Sequence, residues 1–405
     1  MTSSQKVMDS DTISSTCPGF LGLKKDAERV RILIRGKMKN KTTSVSIILF
    51  FSALMMLVSC QQQKAEWKGT IEEVNGVTVV KNPKEPMYGE DVFRLEEELS
   101  IGEAEGREEY MFSPIRSIAV DEEERIYVLE TRGALVKVFD KYGEYLRTIG
   151  RRGQGPGELN VPLTLSITND NKIAVEDFMR GITIYSPEGE FIKSLSSARY
   201  FTVGAIADSW GNVIARTRIR DAERTGWELK RFDPNLEHPK TLMTITSLRS
   251  DSIEVFSPNL FWQAGIDGNV VVGYSKDYEL QIFDSEGELI KKIIKDYDPV
   301  EISQNQIEER IKEIPSDRKL DIPKFYCAFQ RFTVDDEGKI FVQTYEKTEG
   351  EEGFYYDVFD YEGRFFVKIP LKIGPRVWKK SKLYSVEEDE DGYQYIKRYK
   401  VTWKY

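Results

Sequence analysis

SIAVDEEERIYVLETRGALVKVFDKYGEYLRTIG, residues 117–150, holds four short segments of alternating apolar and polar residues, parted by turns rich in Asp, Glu and Gly. A period of two puts successive side chains on opposite faces of a strand, so the stretch predicts four strands and no helix. Connections this short join antiparallel neighbours. The third segment ends in Phe139-Asp140, and Gly143 marks the tight turn into the fourth.

The pattern returns as LSITNDNKIAVEDFMRGITIYSPEGEFIKSL (165–195) and AIADSWGNVIARTRIRDAERTGWELKRFDPNLEHPKTLM (205–243). It returns again as AGIDGNVVVGYSKDYELQIFDSEGELIKKII (264–294) and FTVDDEGKIFVQTYEKTEGEEGFYYDVFDYEGRFFVKIPL (332–371). The third strands end at Phe139-Asp140, Tyr185-Ser186, Phe232-Asp233, Phe283-Asp284 and Phe359-Asp360, at intervals of 46, 47, 51 and 76 residues. Such intervals suit one four-stranded blade with its connection, and the longest leaves room for an insertion.

A sixth unit is split between the chain ends. KLYSVEEDEDGYQYIKRYKVTW (382–403) supplies about three strands, and FRLEEELSIG (93–102) reads as a lone fourth. Pairing the two closes a ring and removes an open sheet edge. The expected fold is therefore all-β: a six-bladed β-propeller of four-stranded antiparallel blades over residues 92–405, closed by pairing an N-terminal strand with the C-terminal blade.

Ahead of the ring, MKNKTTSVSIILFFSALMMLVSC (38–60) has Lys39 and Lys41, an apolar run of about 15 residues from Ser44 to Val58, and Ser59 before Cys60. The run is shorter than the roughly 20 residues needed to span a bilayer and has the layout of a signal peptide. Residues 1–59 are thus expected to be an upstream extension and signal peptide, with Met38 as the start of translation, and residues 60–91 a tether and N-terminal segment.

The residues Leu57-Val58-Ser59-Cys60 resemble the bacterial lipobox, and the blade sequence resembles the NHL-type repeat. Together with GRRGQGPGEL (150–159) and the Phe-Asp turns, they make the chain similar to the six-bladed propeller lipoproteins common in the Bacteroidetes. The resemblance implies lipid on Cys60 and residence at the outer membrane, on its periplasmic or its surface side. It implies nothing as specific about activity, because propellers host unrelated functions.

Of 58 Lys and Arg and 67 Asp and Glu, nine and four precede Cys60, which leaves a net charge of −14 from there onward. That balance argues against nucleic acid as a partner. Cys17, Cys60 and Cys327 are the three cysteines, and with Cys60 acylated Cys327 has no partner for a disulfide in the mature chain. Cys327 reads as a small buried apolar residue and the single histidine, His238, as a surface residue in a turn.

In a propeller, the loops between second and third strands and the connections between blades share one face, around a central channel. These segments hold Arg132, Arg180, Arg216, Arg218, Tyr274, Lys276, Tyr345 and Lys347, with Arg116, Arg151, Arg152 and Trp262 in or beside the connections. Cations at equivalent blade positions suit carboxylates or sulfated and uronic sugars, with aromatic faces for stacking; the same cations also suit ordinary rim ion pairs. The function expected is binding or scaffolding of a glycan, peptide or partner protein. The alternative is a lyase or lactonase using carboxylate-bound calcium, for which Asp121 to Glu124 and Asp335 to Glu337 are acidic turns; they also read as solvated hairpins. No cofactor and no His or Cys metal motif is indicated. GRRGQGPGEL follows a strand without opening a helix, so its glycines serve a turn and not a phosphate. Ile302, Ile307, Ile311 and Ile314 before Pro315 predict a short helix in the insertion, as a lid, a partner surface or rim packing.

Overall fold

The computed structural model describes residues 66–178, 180–196, 202–220, 223–248, 251–350 and 352–404. The signal-peptide stretch and Cys60 lie outside these residues. Among them the main strands form six antiparallel blades. Blade 1 is Ile115–Val120, Ile126–Glu130, Leu135–Phe139 and Tyr145–Ile149. Blade 2 runs from Pro162–Ile167 to Phe191–Ser196, blade 3 from Thr202–Ala207 to Lys240–Leu248, and blade 4 from Leu260–Ala264 to Leu289–Lys295. Blade 5 runs from Arg331–Val334 to Phe365–Leu371. Blade 6 joins Pro375–Lys379, Lys382–Glu388 and Gln394–Trp403 to Phe93–Ile101, which pairs antiparallel with Gln394–Trp403. The first strand of each blade touches the first strands of both neighbours, which closes the ring around the channel.

The repeat has a physical cause in its turns. Asp140 Oδ1 accepts hydrogen bonds from the amides of Tyr142 (2.8 Å) and Glu144 (2.9 Å), and Asp208, Asp233, Asp284, Asp335, Asp360 and Asp389 hold their own turns in the same way. This is the side-chain turn that Asp favours. In blade 2 the Ser186 hydroxyl replaces the carboxylate, accepting from Glu188 and Glu190 at 3.2 Å each. The Gly that follows, such as Gly143 at φ +87°, takes the left-handed conformation the turn requires.

The core is divided into six apolar clusters, one in each interface between adjacent blades. Inner strands therefore bury both faces: every residue of Ile126–Glu130 and of Ile173–Asp177 is buried. The alternation read from the sequence survives at the outside, as in Phe191–Ser196, because only there does one face meet water.

Two strands depart from the sequence reading. Blade 6 begins with Pro375–Lys379, turned back by Lys380 and Ser381 at φ +51° and +55°. A two-residue turn of that hand usually carries Asn or Gly, so the pair Lys-Ser hid it. The stretch assigned to a tether contains the hairpin Thr70–Val74 and Val77–Asn82, turned at Asn75-Gly76. Its second strand pairs parallel with Leu289–Lys295, giving blade 4 six strands. Asn82 is buried and locks it: Nδ2 donates to Gly363 O (2.9 Å) and Ile294 O (3.2 Å), while Oδ1 accepts from Phe365 N (2.6 Å) and Trp67 Nε1 (2.9 Å).

The insertion contains a helix, Gln304–Ile311, opened by a reciprocal cap between Ser303 and Gln306. None of its residues is buried; Ile307 and Ile311 are half-buried, and Ile302, before the cap, is buried.

Candidate functional site in the channel

The first strands line the channel, and in three of them a bulge comes at the second residue. The register slips between Ile115 and Ser117, between Pro162 and Thr164, and between Pro375 and Val377. A bulge leaves one residue unpaired and re-aims its side chain. The residues so released are Arg116, Leu163 and Arg376, so blades 1 and 6 each turn an arginine out of the ladder at equivalent positions. Arg331, the first residue of the first strand of blade 5, joins them.

Desolvation in the channel first, and then the neighbouring charges of Arg331 and Arg116, push the Arg376 guanidinium below its ordinary value, although the residue as a whole is exposed. The charges on blades 5 and 1 thus reach the arginine of blade 6. Arg331 donates from Nε to Gln343 Oε1 at 2.8 Å and hydrogen-bonds Tyr356. No described residue forms an ion pair with any of the three. Like charges gathered without a counter-ion repel in the free protein and are relieved by an anion.

A second cluster stands at blades 2 to 4. Arg216 lies with its Cζ 4.5 Å from the Trp227 ring and 5.9 Å from that of Trp262, and Arg218 is 5.8 Å from Trp227. Arg216 is half-buried, its guanidinium lowered by burial and raised only in part by the charge of Glu176. It too has no ion-pair partner among the described residues. Glu176 is buried, and burial holds its carboxyl above the usual range.

Three other cations of the expected mouth are engaged locally. Arg151 pairs with Glu158 at 2.8 Å. Arg152 donates to the carbonyls of Thr131, Arg132 and Asn160, and Arg180 to those of Gly153 and Gln154. They fasten the glycine-rich connection to its blades, and Tyr185 adds a bond to Gly157 O at 2.9 Å. Arg132 and Lys276 are exposed at loop tips. Tyr345 stacks on Tyr326 with centroids 4.1 Å apart, and burial pushes its phenol up to about 12. Tyr274 is half-buried, and its phenol is likewise raised by burial.

Arg331 and Arg376 escaped the sequence reading because both precede the segments taken as strands. The signal was present in IRSIAV (115–120) and PRVWK (375–379), which place Arg at the same step. Glu176 and Trp227 lie on inner strands that read as core.

The acidic turns are occupied. Asp121 Oδ1 accepts from two backbone amides and Oδ2 from Arg125 and from the Tyr127 hydroxyl (3.0 Å). Glu122 pairs with Lys379 and Lys380, and Glu124 with Lys382. Burial raises Asp335 to about 6. Among the described residues the one set of three groups able to meet at a cation is Asp233, Glu237 and His238, exposed on the face opposite the loops above. His238 Nδ1 lies 2.9 Å from Asp233 Oδ2. Cys327 is a free thiol near Phe256 O (3.3 Å), and burial raises its pKa, which opposes a nucleophilic role.

Two clefts lie on the outside of the ring. One of about 610 Å³, beside blades 4 and 5, is lined by Lys84, Lys295 and Lys368. These pair respectively with Asp298, Asp357 (3.3 Å) and Glu346 (2.7 Å). The other, of about 460 Å³ on blade 1, has a buried pair of Lys137 and Glu130 at 2.9 Å. The lysines of both clefts are thus paired with carboxylates of the protein itself.

A closed ring of six blades whose first strands line a central channel defines a six-bladed β-propeller. The chain belongs to the DUF5128 family, described as a 6-bladed beta-propeller, whose family model matches residues 103–373, more than half of the chain. No curated protein matches it. Among solved structures it is similar to a "putative exported protein" of Bacteroides fragilis, at 12% identity and TM-score 0.54, covering 81% of this chain and 100% of that one. It is also similar to a member of the DUF4221 family from Bacteroides vulgatus, at 11% identity and TM-score 0.50, covering 78% and 100%. At such identities the likeness is one of fold.

Proposed function

We propose that the protein is a lipid-anchored, extracytoplasmic propeller that binds or scaffolds an anionic ligand in its channel, namely a glycan, peptide or partner protein presenting carboxylate or sulfate groups. The observation that carries this reading is that the touching first strands of blades 5, 6 and 1 place Arg331, Arg376 and Arg116 at their first or second positions, with no ion pair to any of them among the described residues. In a chain whose net charge is −14 beyond Cys60, an uncompensated cationic mouth is a local departure that favours anions by long-range attraction and by charge-assisted hydrogen bonds.

Arg376→Gln tests it. Tricarballylate, a small tricarboxylate, raises the melting temperature of the parent and fails to raise that of the variant, since a ligand stabilises the state it binds. Equal responses in both proteins overturn the reading.

The anchor rests on Lys39, Lys41, the apolar run and the Leu57-Val58-Ser59-Cys60 sequence, and the export description carried by a fold relative agrees with it. Placement at the outer membrane, facing the periplasm or the cell surface, belongs to the same reading. Cells fed a labelled fatty acid incorporate it into the parent and not into Cys60→Ser; label retained in the variant overturns lipidation at that residue.

A further inference from the structure

We infer that the cluster of Arg216, Trp227 and Trp262 is a second station for the channel ligand, and that the ligand is an oligosaccharide carrying repeated carboxylates, an oligouronide. This rests on the anion-binding reading of the channel and narrows it to one class.

Three observations lead there. The first is position. The triad belongs to blades 5, 6 and 1, whereas Glu176, Arg216 with Trp227, and Trp262 come from blades 2, 3 and 4. The two cationic groups thus occupy opposite halves of one ring. A ligand that satisfies both must be long enough to cross the channel and must carry more than one anionic group.

The second is the chemistry of the cluster. A guanidinium stacked on an indole has its face covered and its planar edge left to bind a carboxylate side-on. Arg216 Cζ lies 4.5 Å from the Trp227 ring centroid, and no described residue forms an ion pair with it. Arg216 Nε and Trp262 Nε1 lack an acceptor but are covered, so a ligand oxygen meets the cluster at the terminal nitrogens of Arg216. The nearest carboxylate cannot serve, because Glu176 is committed to the amides of Gly204 and Ala205 and to the Thr164 hydroxyl (3.4 Å). What is missing at this place is an oxygen acceptor, negatively charged or hydroxylic.

The third is shape. Trp227 and Trp262 are both half-buried and both lie within 6 Å of the Arg216 guanidinium, so each indole keeps some open surface, of a kind that suits the C–H face of a pyranose. The packing is close: a Cβ on Gly204, at φ +72° where the first strand of blade 3 bulges, would meet the Trp262 ring at 2.9 Å. Glycine is what lets the channel backbone lie against the indole. An acidic sugar ring supplies at once the apolar face, the hydroxyls and the carboxylate that the cluster can bind.

Calorimetric titration of the full chain carrying Cys60→Ser separates this inference from the reading beneath it. The probes are trigalacturonate, tricarballylate with the same number of carboxylates but no sugar ring, and neutral maltotriose. The parent is expected to bind trigalacturonate about tenfold more tightly than tricarballylate, and maltotriose not measurably. Arg216→Gln, and Trp262→Phe, which keeps an aromatic ring for packing, each weaken trigalacturonate about tenfold and leave tricarballylate unchanged. Arg376→Gln weakens both anions. If both anions bind the parent equally and the Arg216 and Trp262 variants match it, the oligouronide inference falls while the anion site stands. If neither anion binds the parent, the anion site itself falls.

Discussion

Arg231→Ala unfolds about 4 kcal/mol more easily than the parent, the size expected when one partner of a buried ion pair is removed. Arg231 and Asp208 are both buried in blade 3, with Nη2 2.5 Å from Oδ2. The pair is satisfied on every side. Arg231 Nη1 donates to the carbonyls of Gly268 (3.0 Å) and Asp284 (3.1 Å), both in blade 4. Asp208 accepts from the amides of Trp210 and Asn212 and from Asn212 Nδ2 (3.0 Å). Deleting the guanidinium strands a buried carboxylate and two carbonyls across an interface between blades, and the apolar contacts of that interface cannot recover them. Lys372→Ala, at an exposed pair with Glu352, serves as the control and changes stability by less than about 1 kcal/mol. Equilibrium urea unfolding measures both. A loss below about 1 kcal/mol for Arg231→Ala refutes the view that this pair joins blades 3 and 4.

The propeller was legible where its physics is local. Each Asp-to-amide turn is fixed by residues within five positions, so the Phe-Asp repeat gave the blade count and most strand boundaries, and Ser186 shows that a hydroxyl in that place does the same work. The helix Gln304–Ile311 followed from the same kind of local signal, its isoleucine spacing, but it is shorter than that spacing suggested: Ile302 precedes the cap, and Ile314 and Pro315 lie beyond its end. The channel was harder because a bulge is defined by its partner strand. The match of PRVWK to IRSIAV hints at a shared position, but only the partner strand shows that Pro375 pairs with Ser385 and Val377 with Tyr384, leaving Arg376 between them unpaired. Arg116 was found as a cation near a connection, but its relation to Arg331 depends on residues more than 200 positions apart. The Asn75-Gly76 hairpin is the opposite case. Its turn is a strong local signal, and it was passed over because the segment ahead of the ring was assigned to a tether as a whole.

Removing residues 66–101 abolishes cooperative folding, whereas removing 66–83 leaves a folded ring of lower stability. The reasoning starts from what each segment covers. Phe93–Ile101 pairs along Gln394–Trp403 from Ile101 opposite Ile396 to Phe93 opposite Trp403. Ile101 is buried, and Phe93 packs against Trp403 with centroids 4.9 Å apart, beside the stacked Phe341 and Trp378 at 3.8 Å. Without this strand blade 6 has an open edge, and the apolar clusters it shares with blades 5 and 1 are uncovered, an arrangement that favours aggregation over closure. The hairpin lies outside the ring. Its loss forfeits the Asn82 bonds to blades 4 and 5 and the pairing with Leu289–Lys295, while every blade keeps four strands. The residues matched by the family model, 103–373, span blades 1 to 5 and stop short of both Pro375–Lys379 and Phe93–Ile101. The unit recognisable as sequence is thus smaller than the unit that can close. Circular dichroism melting with size-exclusion chromatography decides the matter: a monomeric, cooperatively melting product of the longer deletion means that five blades and a remnant close without the N-terminal strand.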